Sequence, residues 1–365
     1  MDKRLRIAGI IGALAISVII LTSPSEPIPI PKPHQQETGS DAVEILATNL
    51  KKPWAFDFAD ERIFVTERAG KVRVLQSNIL VEKPLVTFRT ADVFGGGLLG
   101  IAVHPEFEKN HFIYVYYTYE EDDKLWNKVY RIKEFENKFQ DGQNIIDKIP
   151  GSKFSNGGVL KFGPDDKLYV GTGAGSDSSH SSQELQSLAG KILRLNDDGS
   201  IPSDNPFPDS PVFSYGHSNP QGIAWDELGN MYVTELGPSK NDEINLIIAG
   251  QNYGWPDQQC SGDTKFVDSL TCYDPKIEPG GIIFYQGDKL NLKNNMIMAA
   301  MGPQNLDQLE INEDGLISQT RILTGLGRIR DVNEGPDGYL YLITSNTDGR
   351  SFPDKNDDKL VRILK

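Results

Sequence analysis

The 365-residue chain has little of what most metal, redox and nucleic-acid motifs require. It holds two cysteines, Cys260 and Cys272, and five histidines, with no C-x-x-C pair and no Cys/His cluster. That excludes zinc fingers, iron–sulfur sites and thioredoxin-type chemistry. Positive charge is short as well: 37 Lys and Arg face 51 Asp and Glu, a net charge of −14. The basic footprint of a nucleic-acid or anionic-lipid binder is therefore missing. No glycine-rich segment ends in the Gly-Lys-Ser/Thr of a phosphate loop; GTGAGS at 171–176 does not. Long amphipathic helical stretches are scarce. The best is SSQELQSLAGKILRL at 181–195, read as a short helix running into a strand.

Turn and strand material is abundant, with 35 Gly and 22 Pro in a chain that is 38% hydrophobic. One unit recurs, a turn rich in Asp, Gly and Pro followed by a strand of β-branched and aromatic residues. It appears at 57–67 (DFADERIFVTE), 104–118, 162–172 (FGPDDKLYVGT), 225–235 (WDELGNMYVTE) and 334–344 (EGPDGYLYLIT). Its aromatic markers Phe64, Tyr114, Tyr169, Tyr232 and Tyr341 step by 50, 55 and 63 residues and then by 109. The long gap holds a weaker copy, NNMIMAAM at 294–301. Six units of ~54 residues, each with several short strands, are the pattern of propeller blades. The spacing predicts an all-β, six-bladed β-propeller over 41–365, with a pair of β-sandwiches as the alternative. The alternative is disfavoured because the unit recurs without a linker. In a propeller the loops between blades gather at one end of the central channel, where a ligand is expected.

Lys3, Arg4 and Arg6 precede an apolar run from Ile7 to Leu21, shorter than the ~20 residues of a membrane span. Residues 1–23 are expected to be a signal peptide or an N-terminal membrane anchor. The Pro-rich stretch 24–40 (PSEPIPIPKPHQQETGS) is expected to be a linker. The protein is thus expected outside the cytoplasm, secreted or held on the outer face of the cell membrane, touching the membrane only through this segment. In that compartment Cys260 and Cys272 are expected to form a disulfide.

Several segments are more specific than a propeller pattern. GGLLGIAVHPEF (96–107), GKILRLNDDGSIPSDNPF (190–207), YGHSNPQGIAWD (215–226), ELGPSKNDEINLIIAGQNYGWP (235–256) and GRIRDVNEGPDGYLYLIT (327–344) resemble the soluble quinoprotein glucose/sorbosone dehydrogenase family. The resemblance implies a six-bladed propeller that binds pyrroloquinoline quinone (PQQ) and Ca²⁺. It implies oxidation of an aldose sugar at its anomeric carbon, with an external electron acceptor. By this resemblance Asn219, Arg328 and Arg330 are quinone-binding positions. Gly237 and Pro238 would offer backbone carbonyls to the calcium, with Asp242 and Glu243 just after them.

The same resemblance exposes departures. Ser155 stands where the family carries its base histidine, and Ser218 where an arginine contacts quinone and substrate. Val159 replaces another arginine, Ala174 an acid and Gly95 a Gln or Glu, and no lysine lies in AAMGPQN (299–305). A serine hydroxyl is a poor base near neutral pH. His180 and Asp177, in the Ser-rich loop 174–186, are the residues that could enter the site instead. His217, His104, Trp255 and the tyrosines 114, 116, 117 and 119 read better as packing and turn residues. Two functions stay open: a PQQ-dependent sugar oxidoreductase, and a catalytically silent propeller binding a sugar, polymer or protein at the cell surface. A calcium-dependent hydrolase is a third reading with no distinctive motif.

Overall fold

A computed structural model describes residues 42–175, 180–312 and 315–365; the segments 1–23 and 24–40 and Asp177 lie outside the described residues. Six antiparallel sheets follow one another along the chain, each laid down from the inside outward, and form a six-bladed β-propeller. The innermost strands are Pro53–Ala59, Leu98–Val103, Ser155–Phe162, Pro220–Trp225, Pro279–Phe284 and Ile329–Glu334. Each packs against the next, and the last against the first, so their N-terminal ends gather around one mouth. The ring is closed by sequence-distant pairing. Strand Val43–Ala47 is the outermost strand of the last blade, with Val43 opposite Ile363 and Ile45 opposite Val361.

The aromatic period of the sequence has a packing cause. The second-strand tyrosine of a blade lies against an aromatic near the end of the next blade's inner strand. Tyr114 meets Phe162, Tyr169 meets Trp225, Tyr232 meets Phe284 and Tyr341 meets Phe58, with ring centroids 5.0–5.2 Å apart. Three of these tyrosines also donate their hydroxyl to the aspartate of the preceding turn: Tyr169 to Asp165, Tyr232 to Asp226 and Tyr341 to Asp337. The fifth blade carries Ile297 at the equivalent position, which is why its unit reads weakly in the sequence. Threonines add polar links: Thr66 donates to the Leu99 carbonyl (2.6 Å) and Thr234 to the Gly280 carbonyl (2.8 Å), each in the following blade.

The helix expected from 181–195 does not form. One 3₁₀ turn, His180–Ser182, is followed by irregular chain up to the strand Lys191–Leu195. The reason is local. The buried Lys191 ammonium takes the carbonyls of Ser181, Ser182 and Ala189 (2.9, 2.9 and 2.6 Å), two of which a helix would have given to amides four residues on.

Candidate functional site

At the mouth lies a cavity open to solvent on one side. Its charge is one-sided: four arginines, Arg68, Arg328, Arg330 and Arg350, line it against a single carboxylate, Asp348. Arg330 is the deepest. Its guanidinium sits 3.9 Å over the Trp54 ring, Nη2 donates to Gln221 Oε1 (2.9 Å), and the buried Nη1 has no partner. Burial pushes its pKa down to about 10. A buried cationic donor of this kind, on a residue that lines a cavity, favours an anionic ligand. Arg328 is instead committed to protein, bonded to Glu278 (2.8 Å) and Asp348 (3.1 Å). The two arginines that the resemblance makes quinone-binding positions therefore differ, one committed to protein and one partly unpartnered.

Arg68 and Arg350 had no signal in the sequence, coming from turns of the first and last blades. Arg68 is spent on the carbonyls of Val93, Phe94 and Gly96, fixing the lip of the mouth. Arg350 stacks over Phe94 at 4.7 Å. Phe94 and Phe154 face each other edge-on across that lip, 5.3 Å apart and about half exposed.

Of the positions read as departures from the family, Gly95 belongs to this lip. Gly95 N donates to Lys153 O (2.7 Å), and Asn156 Nδ2 donates to Gly95 O (3.0 Å). A Cβ on Gly95 would come within 1.9 Å of the Phe154 carbonyl oxygen, so no larger residue fits without moving the strand. Ser155 opens its strand opposite Gly175 but does not line the cavity, although Phe154 and Gly157 on either side do. Val159 lies deeper, along the channel axis, and the Ala174 amide donates to Ser218 O. Asn219 Oδ1 accepts from Gly157 N and Gln221 Nε2, bracing two blades at the cavity wall. Ser218 is turned away: its amide donates to Glu235 and its hydroxyl to the Leu236 carbonyl. His180, largely exposed, pairs with Asp257 (3.3 Å) and is not among the lining residues.

His217 stands between Ser214 Oγ (2.8 Å from Nε2) and Glu235 Oε1 (2.5 Å from Nδ1). This has the order of a hydrolytic triad, but all three side chains are buried, and no substrate reaches the serine. The trio braces the turn that carries Ser218 and Asn219.

At the expected calcium positions the carboxylates hold backbone amides. Asp242 Oδ1 accepts the Gly237 amide, and Oδ2 accepts the amides of Ile277 and Glu278 (2.8 and 2.7 Å). Glu243 accepts from Cys260 N and from Asn245 Nδ2. Burial, and then the charge of Glu235, push the Glu243 pKa up to about 7. The Gly237 carbonyl accepts from the Lys276 ammonium at 3.4 Å. No group of three or more His, Cys, Asp or Glu residues able to hold a metal occurs among the described residues. Asp242 is thus committed to amides, whereas Gly237 and Pro238 line one small pocket with Glu235 and Glu243, an oxygen-rich set whose chemistry suits Ca²⁺. PQQ, a planar tricarboxylate, suits the mouth in charge: Arg330 and Arg350 line it, with the Phe94–Phe154 lip as an apolar edge. A disulfide joins Cys260 to Cys272, as expected, and closes the loop beside Glu243.

Comparison with known proteins places these features in context. The glucose/sorbosone dehydrogenase family model matches residues 50–361. The aldose sugar dehydrogenase YliI of Escherichia coli is 32% identical over 337 residues, covering 84% of this chain and 91% of that protein. A Thermus thermophilus oxidoreductase described as a glucose dehydrogenase superposes with a TM-score of 0.82 at 34% identity, over 88% of this chain and 99% of the other. The PQQ-bound form of an aldose sugar dehydrogenase from Streptomyces coelicolor gives 0.80 at 32% identity, over 88% and 97%.

Proposed function

The chain belongs to the glucose/sorbosone dehydrogenase family, and on that premise we propose that it is an exported propeller that holds PQQ in its arginine-lined mouth and oxidises aldoses slowly, for want of a base. The observation that carries the reading is Arg330, buried with Nη1 unpartnered at the wall of a cationic cavity.

PQQ, when bound, supplies the two-electron acceptor for a sugar's anomeric carbon. The chain's residues supply binding and orientation. Arg330 and Arg350 meet carboxylates, Trp54 gives a flat wall, and Gln221 holds Arg330 in place. Among the described residues no side chain lining the cavity is free to accept a proton: Asp348 is paired with Arg328, and Ser155 lies outside the lining. A missing general base costs about 10²–10⁴-fold in rate. The basic leader and apolar run at the N-terminus and the Cys260–Cys272 bridge support export.

The test is quinone binding followed by dye reduction with a panel of aldoses. Binding with turnover about 10²-fold or more below an active family member is expected. No binding overturns the proposal. Ser155→His with Ser218→Arg should raise turnover if the scaffold admits them. Binding without any turnover in either protein would leave the silent module, a reading that the Gly95–Phe154 closure favours.

A further inference from the structure

In the second blade the hairpin Phe112–Glu121 with Lys124–Phe135 is longer than the inner strand Leu98–Val103. Leu98, at the mouth end of that inner strand, pairs with Tyr117, so residues 119–123 extend past it on the mouth side. Between this hairpin and the chain arriving from the first blade lies an open groove. Tyr117 and Tyr119 line it together with Lys128, which the cross-strand register places on their face. The Lys128 ammonium stands 4.2 Å over the Tyr119 ring. Arg89 adds a second cation, and the hairpin tip 120–123 adds carboxylates.

Groove and mouth share a wall. Ala91 lines the groove and Phe94 the mouth, and their Cα atoms, three residues apart, are separated by no more than about 11 Å. That wall is fixed at both ends. Ala91 N donates to Thr118 O (2.8 Å) beside the tyrosines, and Gly95 N donates to Lys153 O (2.7 Å) beside Phe154. On the lip itself Phe94 and Phe154 are about half exposed, with Arg350 4.7 Å over the first ring and Lys153 5.6 Å over the second. Aromatic rings edged with donors and acceptors, leading away from a sugar site, suit a chain of sugar units. Their C–H faces pack on rings, and their hydroxyls, donor and acceptor at once, meet charges of both signs. A polyanion is disfavoured by the carboxylates of the hairpin tip.

We propose that the aldose oxidised in this mouth is the reducing end of a saccharide chain, whose following units lie over the Phe94–Phe154 lip and along the Tyr117–Tyr119 groove. The oxidation rests on the function proposed above; the binding of the chain does not. The full-length protein, Phe154→Ala and Tyr119→Ala are given linear glucose oligomers, in α-linked and β-linked series, from the monosaccharide to about six units. Equilibrium binding is measured by calorimetry without quinone, and kcat/KM by dye reduction with PQQ. Binding energy from units remote from the reacting carbon appears in kcat/KM. In at least one series the wild type should therefore gain about tenfold or more between monosaccharide and tetramer, and should bind the tetramer correspondingly tighter. In each variant that gain should fall to about threefold or less. The ratio of long to short substrate cancels any general loss of folding or of quinone, so a merely structural role would not move it.

Equal values at every length in both series, or a gain that survives in either variant, overturns the proposal. If no sugar gives PQQ-dependent turnover, the proposed function fails, and calorimetry decides alone. Length-dependent binding that Tyr119→Ala abolishes then supports the chain. Binding that is absent or independent of length overturns it.

Discussion

Arg330 and Lys191 are both buried cations, and their surroundings give them opposite consequences. Arg330 keeps one nitrogen unpartnered. Replacing it with Met should leave denaturant stability unchanged or raise it by ~1–2 kcal/mol, since an incompletely paired buried charge is costly. The same change should weaken PQQ about 10–100-fold. A matched loss of stability and affinity would show Arg330 to be a structural residue. Lys191 has three carbonyls around its ammonium. Burial lowers its pKa to about 7, while those carbonyls favour the protonated form. Lys191→Met strands three buried acceptors and should cost about 3 kcal/mol or more in urea unfolding. A loss under 1 kcal/mol would mean that water replaces the ammonium readily. Residues of this kind were hidden from the sequence. Lys191 sits in a segment whose composition suits a helix, and Arg68 and Arg350 meet only because the ring brings the first and last blades together. The inner-strand pair Arg328 and Arg330 was legible through family resemblance, but its division of labour was not, since it depends on Glu278 and Asp348 from elsewhere in the chain.

Among the elements, the aromatic seam between blades does most to set the fold's visible period. The second-strand tyrosine of the third, fourth and sixth blades is both a wedge against the next blade and a hydroxyl partner for its own turn. Tyr341→Phe keeps the wedge and should cost about 0.5–1.5 kcal/mol, the value of one hydrogen bond. Tyr341→Ala loses both and should cost about 3–5 kcal/mol. If calorimetry finds the two equal, the Phe58 contact contributes nothing. This double use makes the third, fourth and sixth units the clearest in the sequence, while the second keeps the wedge alone in Tyr114 and the first an aromatic, Phe64. The fifth blade meets the packing constraint with aliphatic residues, and its signal fades accordingly. The long strands of the second blade, up to thirteen residues in Lys138–Pro150, had no counterpart in the period and went unread.

For the whole molecule, buried acids set the response to pH. Burial raises Glu243 to about 7 and Asp307 and Asp331 to about 6. The folded chain therefore binds more protons than the unfolded chain between pH ~4 and ~7, and stability falls as pH rises through that window. Unfolding midpoints in urea should be higher at about pH 5.5 than at about pH 7.5, by ~1–3 kcal/mol in all. Glu235 and Glu278, held below the usual carboxylate range despite burial by His217 and Arg328 respectively, lose their contribution only at more acid pH. A midpoint that rises from 5.5 to 7.5 would place these acids in wetter surroundings.

The strand Val43–Ala47 pairs with Leu360–Ile363, residues more than three hundred positions later. During synthesis the first of these strands waits, its edge open, until almost the last residue of the ring has left the ribosome. Five blades can stack as they appear, but the closing one cannot, so the ring is completed only once Leu360–Ile363 is available. Agents that cap open strand edges would act on this protein in that interval and have no purchase once it has passed.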